Sequence, residues 1–262
     1  MSNLTNDLCV SIVQCNQIWE EKSNNLSHFE TLLKQISDTD LIILPEMFQT
    51  GFTMNVETLA EEMENSQALV WLKQSAKKTN AAIYTSFIVK EKNHFYNRGI
   101  FVFPDGNYTI YDKRKLFSLA KENEFFSAGT KQVIVEYKSW KINLQICFDL
   151  RFPELSRNKV NEKGEIDYDL CLYVANWPEK RNHHWKSLLT ARAIENQSFV
   201  VGVNRIGKDG KELIYSGDSR IINPLGETLN SENAHQEIIQ SIILKKQNLI
   251  DIRNSMNFLK DA

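Results

Sequence analysis

The sequence predicts an α/β protein, a four-layer α-β-β-α sandwich, and three observations carry that expectation. Two unbroken apolar runs, Leu41-Ile42-Ile43-Leu44 and Leu170-Cys171-Leu172-Tyr173-Val174, have the character of strands buried on both faces. Segments with apolar residues three and four positions apart alternate with such runs, as helices packed on sheets do. The order helix, strand, helix, strand, hairpin occurs in each half of the chain, an architectural repeat without a short sequence repeat. Two sheets related this way, each covered by helices on one face, make the sandwich. A single doubly wound sheet is the alternative that periodicity leaves open.

Leu8-Cys9-Val10-Ser11-Ile12-Val13 opens as a short apolar strand. Leu26, Phe29, Leu32, Leu33 and Ile36 form a stripe on a helix over 20–37, which leads into the buried run at 41–44. A second helix over 64–79 carries Leu69, Trp71, Leu72 and Ala76 and feeds the strand Ala82 to Val89. A hairpin follows: 95–103, the turn Pro104-Asp105-Gly106-Asn107, then Tyr108 to Asp112. In the second half, a strand at 140–147 leads to a helix beginning near Pro153, and the run 168–174 comes next. A helix over 182–197, with Trp185, Leu188, Leu189 and Ile194, precedes the strand 199–203. A second hairpin, with strands near 212–222 and 226–229 around Pro224-Leu225-Gly226, completes the repeat. No linker rich in Gly, Pro or Ser separates the halves, so residues 1–262 read as one domain, with 244–262 a C-terminal arm.

Composition narrows the function. A chain of 262 residues with net charge −2 lacks the basic excess of a nucleic-acid surface, and Lys113-Arg114-Lys115 is too short to supply one. No run reaches the ~18 apolar residues of a membrane span. Met1 to Asp7 has neither the basic start nor the apolar core of a secretory signal, so the expected compartment is the cytoplasm. Cys9, Cys15, Cys147 and Cys171 are dispersed, with no CxxC pair and no histidine at ligand spacing, which argues against a metal site and a disulfide framework.

Three polar residues hold equivalent places. Glu46 follows the run 41–44 and Pro45, Lys113 ends the hairpin strand, and Cys147 ends Lys141-Ile142-Asn143-Leu144-Gln145-Ile146. The carboxyl ends of strands are where α/β folds gather ligand sites. A carboxylate can take a thiol's proton as attack begins, and an ammonium or a following backbone N–H can hold an oxyanion. Each residue also has an ordinary reading: packing for Cys147, a helix start for Glu46, a solvated cluster for Lys113.

Leu44-Pro45-Glu46-Met47-Phe48, Tyr111-Asp112-Lys113-Arg114-Lys115-Leu116-Phe117 and Cys147-Phe148-Asp149-Leu150-Arg151-Phe152-Pro153-Glu154 together resemble the three signature segments of the nitrilase superfamily, over residues 8 to 245. The resemblance implies a Glu46-Lys113-Cys147 triad, and a further glutamate at Glu122, seven residues before Gly129. It implies the sandwich fold, no cofactor, a small-molecule amide substrate, and a homodimer or higher homo-oligomer with tail exchange as a role for the arm. Phe48-Gln49-Thr50-Gly51-Phe52-Thr53-Met54, Ala120-Lys121-Glu122-Asn123-Glu124 and Ala175-Asn176-Trp177-Pro178 resemble the bacterial omega-amidase group, which hydrolyses the terminal amide of 2-oxoglutaramate or 2-oxosuccinamate. Lys115 stands where many relatives have His, and Phe148 where many have Tyr.

Around the triad, the Phe148 N–H is an expected oxyanion donor, and Arg151 a clamp for a substrate carboxylate or a partner in an ion pair. Asn176 and Trp177 end the strand equivalent to 41–44 and are expected near the pocket. His183-His184 invites a Cys–His mechanism but lacks a third orienting residue, so both read as solvent-exposed. Arg192 and Glu195 read as a structural ion pair. The alternatives are another amidase of the superfamily (for deaminated glutathione), a carbamoylase, a nitrilase, or acyl transfer to an amine. A non-catalytic module would need none of the three reactive residues.

Overall fold

The computed structural model describes residues 7–261. The N-terminal stretch to residue 6, read above as no signal, and the last residue of the arm lie outside them. In chain order, the first half contains β1 (Leu8–Gln14), α1 (Lys22–Leu33), β2 (Leu41–Ile43), α2 (Val56–Leu59), β3 (Glu61–Glu62), α3 (Gln67–Thr79), β4 (Ala82–Glu91), β5 (His94–Val102) and β6 (Tyr108–Asp112). After the short α4 (Glu122–Phe125) come β7 (Ile134–Tyr137), β8 (Trp140–Ile146), β9 (Leu170–Ala175), α5 (Asn182–Glu195) and β10 (Phe199–Asn204). The chain continues through β11 (Ile206–Lys208), β12 (Ile214–Ser216), β13 (Arg220–Ile222), β14 (Ile238–Leu244) and α6 (Lys246–Ser255).

Two sheets form, ordered β14-β1-β2-β4-β5-β6, with β3 beside β4, and β13-β10-β9-β8-β7. Each has a core of three parallel strands (β1, β2, β4 and β8, β9, β10) flanked by antiparallel ones, and the two-residue β3 adds a parallel pairing to β4. The sheets meet through Leu8, Val10, Ile12, Leu41 and Phe101 on one side and Trp140, Ile142 and Leu144 on the other. On the outer face of the first sheet, Phe29, Leu32 and Leu33 of α1 and Leu69, Leu72 and Ala76 of α3 cover Ile42, Ile83 and Ile100. On the second sheet, α5 lies so close that a Cβ on Gly202 would stand 2.5 Å from Leu189. Each large side chain fully buried in these layers stabilises the fold by about 1.5–3 kcal/mol.

Local signals agree with these elements. The Ser66 hydroxyl accepts the Leu69 N–H at 2.9 Å to start α3, and left-handed Asn80 ends it; losing such a cap costs about 1 kcal/mol. Three expectations need correction. Pro153 opens only a 3₁₀ turn, Pro153–Leu155, and no helix matches α1 in the second half. Instead buried Asn158 fastens that connection, donating to the Tyr168 and Asn196 carbonyls at 3.0 Å each and accepting the Tyr168 N–H at 3.2 Å. The second hairpin closes at its turn, where Ile222 bridges Thr228, but its first strand is divided at Ser219, which gives its N–H and hydroxyl to Gln14 Oε1 at 3.0 and 2.7 Å. As a result β13 joins β10, while β11 and β12 make a separate two-stranded sheet. Before the arm, 238–244 form an unexpected edge strand on β1. α6 then crosses to the second sheet, where Arg253 bonds Asp169 at 2.8 Å and the Tyr168 carbonyl at 2.7 Å.

Candidate active site

The carboxyl ends of β2, β6 and β8 bring Glu46, Lys113 and Cys147 together across the two sheets. Lys113 is held at its backbone, since its carbonyl accepts the Gly129 N–H at 2.9 Å. A Cβ on Gly129 would fall 2.1 Å from the Asp112 carbonyl oxygen, so only glycine permits this crossing. Around Glu46, the Pro45 carbonyl accepts the Thr85 hydroxyl at 2.6 Å and the Met47 N–H donates to Ser86 Oγ at 2.9 Å. Cys147 has φ +45° and begins a 3₁₀ turn, Cys147–Arg151. A left-handed non-glycine residue costs on the order of 1–3 kcal/mol and persists only where its surroundings impose it. Here Asp149 supplies the constraint, accepting the Ile146 N–H at 2.9 Å, the Tyr111 hydroxyl at 2.7 Å and the Lys115 N–H at 2.9 Å.

Lys113 Nζ lies 3.0 Å from Glu46 Oε1 and 2.9 Å from both oxygens of Glu122, with all three side chains fully enclosed. Asn97 Nδ2 donates to Glu46 Oε1 at 2.8 Å and to Glu122 Oε1 at 3.3 Å, and the Phe117 N–H reaches Glu122 Oε2 at 2.6 Å. The other Glu46 oxygen accepts the Asn176 N–H at 2.8 Å, while the Asn176 side chain donates to the Glu46 carbonyl at 2.6 Å. The Cys147 thiol points to the Asn176 carbonyl at 3.9 Å.

Burial would push the Lys113 ammonium toward neutrality, but Glu122 and Glu46 outweigh it and hold the proton firmly on Nζ. Burial raises the Glu122 carboxyl, Lys113 pulls it back, and Glu46 raises it again. The Cys147 thiol is pushed well up by burial and then by Glu46, with Lys113 opposing. The resting sulfur is therefore a thiol beside a lysine that stays charged. A thiol in that state would act as a nucleophile only with a base to take its proton.

Cys147 and Lys113 open on a pocket of about 60 Å³, walled by Phe52, Phe117, Phe148, Trp177, Pro178 and Tyr215. Larger grooves, such as one of about 440 Å³ between α1 and α3, lie away from this cluster. Phe148 lies between Phe117, tilted to it, and Phe152, edge-on to it, with ring centres 4.9 and 5.2 Å away. Trp177 donates its N–H and its indole N–H to Asn204 Oδ1 and the Arg181 carbonyl, both at 2.8 Å. Arg151 lies over the Trp177 ring at 4.7 Å and lines the pocket. Both histidines are exposed, and His184 Nδ1 meets Arg151 Nη2 at 3.2 Å, a contact the sequence did not suggest. Arg192 pairs with Glu195 at 2.9 Å and bonds the Leu150 carbonyl at 2.7 Å, outside the pocket. Lys115 lies near Glu154 at 3.8 Å. Asn97, Arg181 and the Asp209–Tyr215 pair escape the sequence reading. A polar Asn97 in a strand flanked by Tyr96 and Arg98 reads as an ordinary solvent-facing position.

The sequence profile of the carbon-nitrogen hydrolase family matches residues 9–246. The chain is 44% identical to the omega-amidase YafV of Escherichia coli (strain K12) over 229 residues, 87% of this chain and 86% of that protein. It is 32% identical to the 2-oxoglutaramate amidase of Bacillus subtilis (strain 168) over 257 residues, 96% of each. The fold superposes on XC1258 from Xanthomonas campestris, a CN-hydrolase superfamily protein with an arsenic adduct in the active site. The TM-score is 0.95 at 38% identity, covering 98% of this chain and 97% of that one. No helix among the described residues is long and apolar enough to cross a membrane. Profile, relatives and fold agree, and the chain belongs to the carbon-nitrogen hydrolase family of the nitrilase superfamily.

Proposed function

We propose that this enzyme is an omega-amidase, a single catalytic domain that hydrolyses the terminal amide of 2-oxoglutaramate or 2-oxosuccinamate through a thioester on Cys147. The observation that carries the reading is the enclosed Lys113 between Glu46 and Glu122 beneath a pocket that Cys147 lines. The omega-amidase and 2-oxoglutaramate amidase relatives support the choice of substrate. An arsenic adduct in the active site of a 38% identical relative fits a site with a reactive thiol.

In this mechanism Glu46 takes the thiol proton as Cys147 Sγ attacks the amide carbon. The carbonyl oxygen becomes an oxyanion held by Lys113 Nζ and the Phe148 N–H, which sits at the start of a 3₁₀ turn where amide protons lack helical partners. The carbon–nitrogen bond then breaks as Glu46 passes its proton to the departing nitrogen, giving ammonia and an acyl thioester. Water, losing a proton to Glu46, attacks the thioester. The second tetrahedral intermediate collapses to the carboxylic acid, and the thiolate recovers its proton from Glu46. Glu122 balances the Lys113 charge throughout, and Arg151 takes the substrate carboxylate.

The test is ammonia release from 2-oxoglutaramate by the wild type and by Cys147→Ala, joined to rapid-quench mass spectrometry of the intact protein. Release that vanishes in the variant, with an acyl adduct on Cys147 during turnover, is the expected result. A folded wild type that releases nothing would sink the substrate, and an amide and nitrile panel would then decide among the superfamily's other reactions. We further read the protein as a homodimer or higher oligomer: exposed Leu225, Leu229 and Ile243 line one groove between β13, β14 and α6. Light scattering behind a sizing column gives the mass.

A further inference from the structure

Two guanidiniums stand in the walls of the Cys147 pocket without a counter-ion. Arg151 lies 4.7 Å over the Trp177 ring, and Arg181 lies 5.3 Å over the Phe117 ring. Both residues line the same small pocket as the thiol. The acidic residues nearby are engaged elsewhere: Glu154 with Lys115 at 3.8 Å and Glu179 with His235 at 2.9 Å. Asp209, the one carboxylate in the pocket lining, accepts the Tyr215 hydroxyl at 2.9 Å and the Lys211 and Leu213 N–H groups at 2.8 and 3.0 Å. Among the described residues no carboxylate pairs with either guanidinium.

Three other arginines hold carboxylates: Arg98 pairs with Asp112 at 2.7 Å, Arg192 with Glu195 at 2.9 Å, and Arg253 with Asp169 at 2.8 Å, while buried Arg205 bonds Asn16 and backbone carbonyls at 2.9–3.0 Å. The partner of Arg151 is His184 Nδ1, which must offer a lone pair because a guanidinium has no acceptor, so this contact neutralises nothing. Burial, and then the like charge of Arg181, hold the Arg151 guanidinium below its ordinary pKa. The aromatic faces stabilise each cation singly and fix its plane. They leave the forked N–H edges for an anion.

We infer that Arg151 and Arg181 form one anion subsite, which grips the carboxylate of a short amide substrate while its amide end lies at Cys147. The inference rests on the amidase reading and names the feature that the site selects. The substrate class is a linear carboxamide of a few carbons bearing a carboxylate at its opposite end. Neutral amides would leave the pair unsatisfied, and a cationic end would be repelled.

Calorimetric binding of 2-oxoglutaramate and of neutral butyramide to Cys147→Ala tests the subsite apart from turnover, in that background and with Arg181→Met or Arg181→Lys added. Loss of a charge-assisted hydrogen bond predicts about 10–100-fold weaker 2-oxoglutaramate binding with Arg181→Met. Arg181→Lys should recover part of it, and butyramide binding should not move. In the active enzyme, Arg181→Met should raise KM for 2-oxoglutaramate by a similar factor and leave kcat within about three-fold, the pattern of lost uniform binding. Unchanged 2-oxoglutaramate affinity in a folded Arg181→Met protein would overturn the subsite while wild-type ammonia release kept the amidase reading intact. Tight, Arg181-dependent binding without any ammonia release from the wild type would support the subsite and sink that reading instead.

Discussion

Each half of the sandwich ends its first parallel strand in a cysteine: Cys15 follows β1, and Cys147 follows β8. Both strands have seven residues and lie between an antiparallel edge strand and a parallel neighbour. Cys15 even has the better inventory by residue type. Its sulfur, His28 and Glu237 lie within 4.8 Å of one another, whereas the Cys147 cluster has no histidine. Yet Cys15 is fully enclosed at the edge of an apolar cluster, and His28 is tied to Glu237 at 2.9 Å. What sets Cys147 apart is the left-handed turn, the pocket, and an ammonium locked between two carboxylates. Reactive residues near one another do not make a site; an oriented base, a charge for the oxyanion and room for substrate do.

The widest split should appear in turnover. Cys147→Ala is expected to lower ammonia release by roughly 10⁴-fold or more, as removal of a nucleophile does. Cys15→Ala should leave kcat unchanged, and equal losses from the two would break the comparison. Glu46→Gln comes next, with kcat expected to fall by about 10²–10⁴-fold, since the proposed mechanism routes every proton through Glu46. Circular dichroism should show that variant folded. Lys113→Met should abolish turnover and also destabilise the fold by about 3–5 kcal/mol, since it leaves two buried carboxylates facing each other. Urea unfolding measures that cost, and a midpoint equal to wild type would mean that the ion cluster is not as enclosed as it looks.

A pH titration sharpens the contrast at the sulfur itself. Burial and Glu46 hold the Cys147 thiol above the usual range, so its thiolate forms only at higher pH. The rate of alkylation by iodoacetamide should keep climbing past pH ~8.5, where an ordinary cysteine begins to level off. Glu46→Gln removes a negative charge that opposes ionisation and should move the profile to lower pH. A plateau near neutrality in the wild type would contradict the assigned environment. Because the folded thiol's pKa is raised, its contribution to stability is full below the unfolded value and is lost as pH rises through the folded one.

Glu46, Lys113 and Cys147 stand at strand ends in the sequence, each with an ordinary reading of its own, and only the resemblance joined them; the structure brings Glu46 and Lys113 within 3.0 Å of each other and sets Lys113 and Cys147 on one pocket. Glu122 came only with the resemblance, since Lys121-Glu122-Asn123-Glu124 reads as a solvated loop until the chain folds it onto Lys113. Asn97 is invisible for a similar reason: mid-strand, its role exists only through Glu46 and Glu122, 51 and 25 residues away. Arg181 hides in Glu179-Lys180-Arg181-Asn182, a charged run whose exposed look conceals one side chain turned over Phe117. The helix expected near Pro153 fails because Asn158 supplies tertiary hydrogen bonds that compete with helical ones. Pattern reads what a segment does alone; contacts closed across the sheets fall outside it.

The smallest expected effect concerns Cys15, and it decides how far the comparison holds. Cys15 belongs to the apolar cluster of Val13, Phe29 and Phe48 on the outer face of the first sheet, and burial, with Glu237 adding, pushes its thiol up. Cys15→Ala should therefore cost about 1–2 kcal/mol through a small cavity and leave turnover alone. Cys15→Ser keeps the volume but places a hydroxyl among apolar neighbours, so it should be at least as destabilising unless a partner is found. Thermal melts of the two variants rank the effects. If serine were tolerated better than alanine, the Cys15 environment would be polar, and His28 and Glu237 would have to be reread as acting on it. If alanine is the milder change, as its apolar neighbours require, Cys15 is packing, and the second half of the repeat alone carries the nucleophile.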